Sequence, residues 1–162
     1  MTNCWACGGD MRYLEDFSVG ECIPLSPRQV SEEDIVAFAQ QFDPQPFHTE
    51  PTHPRTQSLG GLLASGWHTA ALFMAMAVEA YMADAAIMTS PGVDQLRWLA
   101  PLRPGDTVQG EVIITGVRAS RSKPDRGILT TSARLWQQTG VDVLRLETTA
   151  FVASKTTLAS AR

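Results

Sequence analysis

The chain has 162 residues, 44 % of them apolar and 19 % charged, with a net charge of −4 and a pI near 5.3. That length suits one domain with a buried core, and the mixture excludes a disordered or membrane-embedded chain on composition. The acidic balance excludes nucleic acid as the main partner, since binding a phosphate polymer needs a basic excess; a phosphorylated small ligand needs only a local basic patch.

MTNCWACGGDMRYLEDF opens the chain without the basic start and apolar run of a secretory signal. Cysteines stand at Cys4, Cys7 and Cys22, an odd count that points to a reducing compartment, so the expected location is the cytoplasm. Cys4-Trp-Ala-Cys7 has the spacing of half a zinc site, but no second CxxC or HxxxH follows. Gly8-Gly9 stands where a redox motif would open a helix. No metal is expected, and residues 1–11 read as a tail ahead of a single domain over 12–155, with a second tail at 156–162.

A strand is expected near Gly20–Leu25, cut short by Pro27. Ser31-Glu32-Glu33-Asp34 is a helix start, an N-cap serine followed by acids at the positive end of the dipole. Ile35, Phe38, Ala39 and Phe42 then follow at i, i+3, i+4 and i+7 and form one apolar face. Pro44 ends this helix, because a residue before proline is pushed out of the α region. Asp43 is thereby placed at the helix exit and His48 in the loop beyond, with Pro44 and Pro46 stiffening the connection. Residues 51–61 read as loop, and His53 within it takes no role.

A long helix is expected from about Gly66 to Asp84. Its apolar stretch is interrupted by Glu79 and Asp84 and is short for a membrane span, which needs about 20 apolar residues. Almost every position is apolar or small, so the helix reads as surrounded by other structure. From Pro91 the pattern turns to period two. Strands are expected over Val93–Leu99, around Val108–Ile114, over Ile128–Trp136 and around Leu144–Val152. Arg103-Pro104-Gly105-Asp106, the segment 122–127 and Thr139-Gly140 form the turns. Short turns imply an antiparallel sheet. Such a sheet and one very apolar helix combine by curling the sheet round the helix, an α+β hot-dog arrangement.

Four stretches carry a family likeness. FAQQFDPQPFH, Phe38 to His48, resembles the hydratase motif of the MaoC-like family, which includes the (R)-specific enoyl-CoA hydratases. That motif runs roughly aromatic–x–x–x–x–Asp–x–Asn–Pro–aliphatic–His. GGLLASGW, Gly60 to Trp67, resembles the family's entry to its central helix, and LRWLAPLRPGDTVQGEV and RASRSKPDRGIL resemble its later strands and turns. The likeness covers about Tyr13 to Ser154. Asp43, Pro46 and His48 match the motif. Gln45 replaces its asparagine, Phe47 its aliphatic residue, and Ser65 stands where hydratases often carry histidine.

The resemblance implies a hot-dog fold, a homodimer or larger assembly, and acyl-coenzyme A thioesters as substrates, with coenzyme A part of the substrate and no separate cofactor. It implies syn hydration of an α,β-unsaturated thioester by a water held between Asp43 and His48. Asp43 would orient the water and His48 take its proton, since imidazole titrates near neutrality. The start of the central helix offers a dipole and free amides, so Gly66 is the candidate oxyanion donor, with Ser65 as N-cap; tight packing at the helix entry explains the glycine equally well. Ser65 and Trp67 are candidate substrate contacts, and Trp67, Phe73 and Met74 could border an acyl pocket. His68, two residues into the helix, could reach the same site or be a core histidine.

Residues 97–126 hold six of the 13 basic residues against three acids. Arg121 and Lys123, in the turn Arg121-Ser122-Lys123-Pro124, are the candidate partners of the coenzyme A phosphates; a solvated hairpin tip is the plain alternative. Two rival functions remain open on the sequence: an acyl-CoA thioesterase on the same fold, and a non-catalytic acyl-CoA-binding module.

Overall fold

The computed structural model describes residues 11–155. Cys4 and Cys7, and the expected tails apart from Met11, lie outside the described residues. A 3₁₀ turn at Leu14–Asp16 leads into β1 (Cys22–Gln29), α1 (Glu32–Phe42) and two short helices, α2 (Pro46–Thr49) and α3 (Pro54–Ser58). The central helix α4 (Gly66–Ala77) runs into a π-helical turn, Val78–Met82. Strands β2 (Ile87–Trp98), β3 (Thr107–Ala119), β4 (Arg126–Gln137) and β5 (Asp142–Ala153) complete the chain. All five strands form one antiparallel sheet in the order β1-β3-β4-β5-β2. This is the α+β hot-dog fold, the sheet curling over α4.

The core lies between the sheet and the helix. Val108, Val112 and Ile114 of β3 alternate inward, as do Leu129, Ala133 and Leu135 of β4. They meet Phe73, Met76 and Ala77 of α4 and Tyr81 of the π-helical turn. Period two in the strands and period 3.6 in the helix put these side chains on facing surfaces. Ser31 caps α1 as its sequence indicates, its Oγ accepting from the Asp34 amide at 3.0 Å.

Several boundaries differ from the sequence-based expectation. β1 continues through Pro24 and Pro27 to Gln29. It is an edge strand, where a missing amide donor costs no ladder bond, and a bulge between Leu25 and Arg28 absorbs the irregularity. β2 begins at Ile87, not Val93. It too is an edge strand, and its register shifts three times along its pairing with β5, with Gln95 at φ 53°. Pro91 and Gly92 are therefore tolerated inside it. The loop expected over 51–61 contains α3, with His53 as its N-cap, accepting from the Arg55 amide at 3.1 Å. His48 lies in α2 rather than in a loop. Phe42, expected on the buried face of α1, is exposed and touches Phe38.

The largest correction concerns α4. Instead of being surrounded, it exposes Trp67, Ala71, Met74, Ala75 and Val78 along one stripe. A single five-stranded sheet covers only one side of a helix. The opposite side, all apolar, is left open, and so is most of β2.

Candidate active site

Asp43 is the C-cap of α1, where its amide still bonds back to the Ala39 carbonyl. Pro44 prevents a further turn, and Pro46 starts α2, where proline suits the first position because no amide is needed there. This short rigid connection brings His48 back to Asp43, with His48 Nε2 and Asp43 Oδ2 3.4 Å apart.

The other ring nitrogen sets the state of His48. Nδ1 lies 2.7 Å from the Leu63 carbonyl oxygen, which can only accept. Nδ1 therefore carries the hydrogen, and in the neutral ring Nε2 is the bare nitrogen, aimed at Asp43. Phe47 packs edge-on against the imidazole, with centroids 4.3 Å apart, and Arg55 lies over the Phe47 ring. His48 is buried and held on both sides.

Asp43 is held just as closely. Ser65 Oγ donates to Oδ2 at 2.7 Å, and Gln45 Nε2 donates to Oδ1 at 2.8 Å. These two bonds, Ser65 first, with the nearby His48, hold the carboxyl below the usual aspartate range against the opposing effect of burial. Asp43 is therefore a carboxylate at neutral pH and serves as an acceptor and anchor. In the sequence Gln45 stands out only as a departure from asparagine; in the structure it is a direct partner of Asp43. A second-position amide flanking the aspartate was the available signal.

Ser65 is 1 % exposed and couples the carboxylate to the central helix. Its Oγ also accepts from the Trp67 amide at 3.2 Å, so it caps α4 while donating to Asp43. Gly66 is the first residue of α4, and its amide has no acceptor inside the helix. A groove of about 250 Å³ reaches Gly66 from Trp98 and the 99–102 segment, with Ala64 and Thr69 on its other wall. An added Cβ on Gly66 would stand 2.6, 2.7 and 2.9 Å from three atoms of the Trp98 indole, so only glycine permits this contact. Trp98 was not singled out from the sequence, where it reads simply as a strand residue.

The remaining candidates fall elsewhere. Trp67 is exposed and meets Trp98 edge to face at 5.2 Å. Phe73 is core, and Met74 lies on the open stripe. His68 is buried, stacked on Phe38 at 4.8 Å, with Nδ1 lacking a hydrogen-bond partner among the described residues. Burial pushes its pKa down despite the charge of Asp34. Lys123 borders a pocket with Ser122, Thr89 and Phe151, in the β3–β4 turn that also holds Arg121. Thr89 and Trp98 pair with Phe151 and Leu144, seven steps apart along β5, so about 3.3 Å per residue puts this turn roughly 23 Å from the Trp98 end of the sheet that lies on Gly66. Within one chain, Arg121 and Lys123 do not join Asp43, His48 and Gly66. Of the other basic residues, Arg103 donates to the carbonyls of Leu59, Gly60 and Gly61, and Arg126 pairs with Asp125. Among the described residues, no group of three or more His, Cys, Asp or Glu could hold a metal ion, and no helix is long and apolar enough to cross a membrane.

Comparison with known proteins gives a consistent result. The family model described as the MaoC like domain matches residues 18–137. The chain is 30 % identical over 108 residues to an (R)-specific enoyl-CoA hydratase of Rhodospirillum rubrum, covering 66 % of this chain and 72 % of the relative. It is 26 % identical over 134 residues to the uncharacterized protein YdeM of Bacillus subtilis, covering 83 % and 94 %. Among solved structures, a MaoC-like dehydratase from Rhodospirillum rubrum superposes with a TM-score of 0.80 at 37 % identity, covering 89 % of this chain and 98 % of that one.

Proposed function

Because the chain belongs to the MaoC-like domain family, we propose that it is a hydro-lyase adding water to the α,β double bond of an acyl-CoA thioester, and removing it in reverse. The observation that carries this reading is the Asp43–His48 pair. The bare Nε2 and the carboxylate are both acceptors, 3.4 Å apart, and a water beside them can donate to each. Ser65 takes one lone pair of Oδ2 and leaves another for that water.

In hydration, the water oxygen bonds to the β-carbon as its proton passes to His48 Nε2. The π electrons move onto the thioester carbonyl, whose oxygen gains enolate charge. The Gly66 amide at the positive end of α4 is the donor for that oxygen. The enolate then collapses as the His48 imidazolium returns its Nε2 proton to the α-carbon on the same face, which restores the neutral ring and forms a 3-hydroxyacyl thioester. Asp43, kept ionised by Ser65 and Gln45, orients the water and stabilises the imidazolium. No separate cofactor enters these steps.

Loss of enoyl-thioester absorbance on incubation with crotonyl-CoA and with short, branched and dicarboxylic enoyl-CoAs tests the proposal. Turnover of none of them overturns it. Release of free thiol instead would move the function to a thioesterase, and binding without turnover to a non-catalytic module.

We further propose a cytoplasmic homodimer. The open stripe of α4 and the unpaired edge of β2 together present Trp67, Met74, Val78 and Val93 to solvent, and such an edge invites pairing. Antiparallel pairing of two β2 edges brings the Lys123 end of one chain beside the Trp98 end of the other. The phosphates of a thioester held at one Gly66 then come within reach of the partner copy's turn 121–124. Sedimentation should show a dimer, and a charge at Val93 should weaken it.

A further inference from the structure

We infer that Trp98 is the wall against which the thiol arm of the substrate lies, making it a determinant of which thioesters this protein accepts. The inference rests on the reading that a thioester carbonyl binds at the Gly66 amide. A thioester carbonyl has two sides: one leads through the α-carbon to the β-carbon, the other to sulfur. The β-carbon must lie near His48, because water adds there. Asp43 and His48 approach the start of α4 through Ser65 and Leu63, by way of the Ser65–Asp43 and Leu63–His48 hydrogen bonds. The groove approaches the same amide from Trp98 and residues 99–102. With the acyl end directed to Ser65, the sulfur and its arm fall into the groove.

The groove suits that occupant. It is open to solvent, as the path of a long arm must be. Its volume of about 250 Å³ holds on the order of eight water-sized groups, at ~30 Å³ each, enough for the segment from sulfur through the first amide. Ala64, Gly66 and Ala100 carry no side chain long enough to fill it. Trp98 lies directly on Gly66 and is 46 % exposed in one chain, with Trp67 edge to face beside it. A flat amide of the arm can stack on a half-open indole, and the aromatic ring removes its apolar methylenes from water.

The test compares three crotonyl thioesters: the coenzyme A ester, the N-acetylcysteamine ester, which keeps the first amide, and the S-ethyl ester, which has none. Trp98→Ala should lower kcat/KM about fivefold or more for the first two, mainly through KM, and less than twofold for the S-ethyl ester. Crotonyl-CoA and octenoyl-CoA should lose activity equally. An equal loss on the S-ethyl ester, or a change in acyl-length preference alone, overturns the inference, the latter by placing the acyl chain in the groove. Trp98→Leu, which removes the aromatic face and keeps bulk, repeats the comparison if the alanine variant fails to fold. Titration with butyryl-CoA, which has no double bond to hydrate, gives a readout free of turnover. Wild type should show tryptophan quenching that Trp98→Phe largely loses, and equal quenching or none in both overturns the inference. A wild type that binds butyryl-CoA through Trp98 but hydrates no enoyl thioester would remove the hydratase reading and leave this one standing.

Discussion

Replacing Ser65 by alanine removes one hydroxyl that makes two bonds, one to the carboxylate of Asp43 and one from the first turn of α4. Loss of an N-cap serine costs about 1 kcal/mol, and loss of a hydrogen bond to a charged group about 1.5–3 kcal/mol. The two overlap, because Gln45 still holds Oδ1 and water can replace part of the rest, so an overall loss of about 2 kcal/mol is expected. For a domain of this size that is a fall in Tm of roughly 4–8 °C, from about 2–4 °C per kcal/mol. The effect should depend on pH in a defined sense. The folded-state pKa of Asp43 is lowered, so its contribution is present above the unfolded value of about 3.9 and is lost as pH falls through the folded value. Ser65 is the main cause of the lowering, so the variant has less to lose on acidification. The wild-type and variant stability curves should therefore converge toward low pH. Urea unfolding at fixed protein concentration from pH 7 to pH 3 measures this. Combined with Asp43→Asn, the cycle isolates the coupling between the two residues. Additivity within about 0.5 kcal/mol, or a gap that stays constant down to pH 3, would refute the reasoning.

Enzyme activity should fall on the order of 10²–10⁴-fold in His48→Ala, with folding retained by circular dichroism. Asp43→Asn should cost at least about tenfold in kcat, and a smaller loss in either variant would remove its assigned role. Gly66→Ala should destabilise the fold by about 1–3 kcal/mol through collision with the Trp98 indole. Adding Trp98→Ala should recover most of that loss, and failure of the second change to do so would show that the glycine answers to something other than the ring. Burial pushes the His68 pKa down. As pH falls through the unfolded value of about 6.5 the unfolded chain binds more protons at this site than the folded chain, so stability should decrease as pH is lowered through that range. His68→Phe should flatten that slope between pH 7.5 and 5.5 in urea midpoints, and an unchanged slope would assign it to other groups.

Much of the fold is legible in the residues because local chemistry is enough to state it. Ser31 with three acids marks a helix start, Pro44 marks its end, and alternating Val108, Val112 and Ile114 mark a strand. The Asp43–His48 pair is legible for the same reason: two prolines restrict a four-residue connection, and only a few arrangements remain. Gln45 was visible as an oddity but not as a partner, because its side chain could point anywhere until α1 and α2 placed it. The proline-bearing edges β1 and β2 extend further than their sequence suggests, since proline reads as a strand breaker until its position at the sheet margin is known.

By itself, then, the sequence determined the order of the five strands and the two longer helices, the α+β class and the pair of titratable side chains, all matters of spacing along one backbone. Tertiary structure alone decided what depends on segments far apart in the chain. It placed Ser65 on Asp43 across 22 residues, laid Trp98 on Gly66, and put Arg121 and Lys123 at the far end of β2. It also left one side of an apolar helix uncovered. The physical reason is that periodicity says which face of an element is apolar, while only the packing of the sheet says which faces are covered and which remain open to a ligand or a second copy.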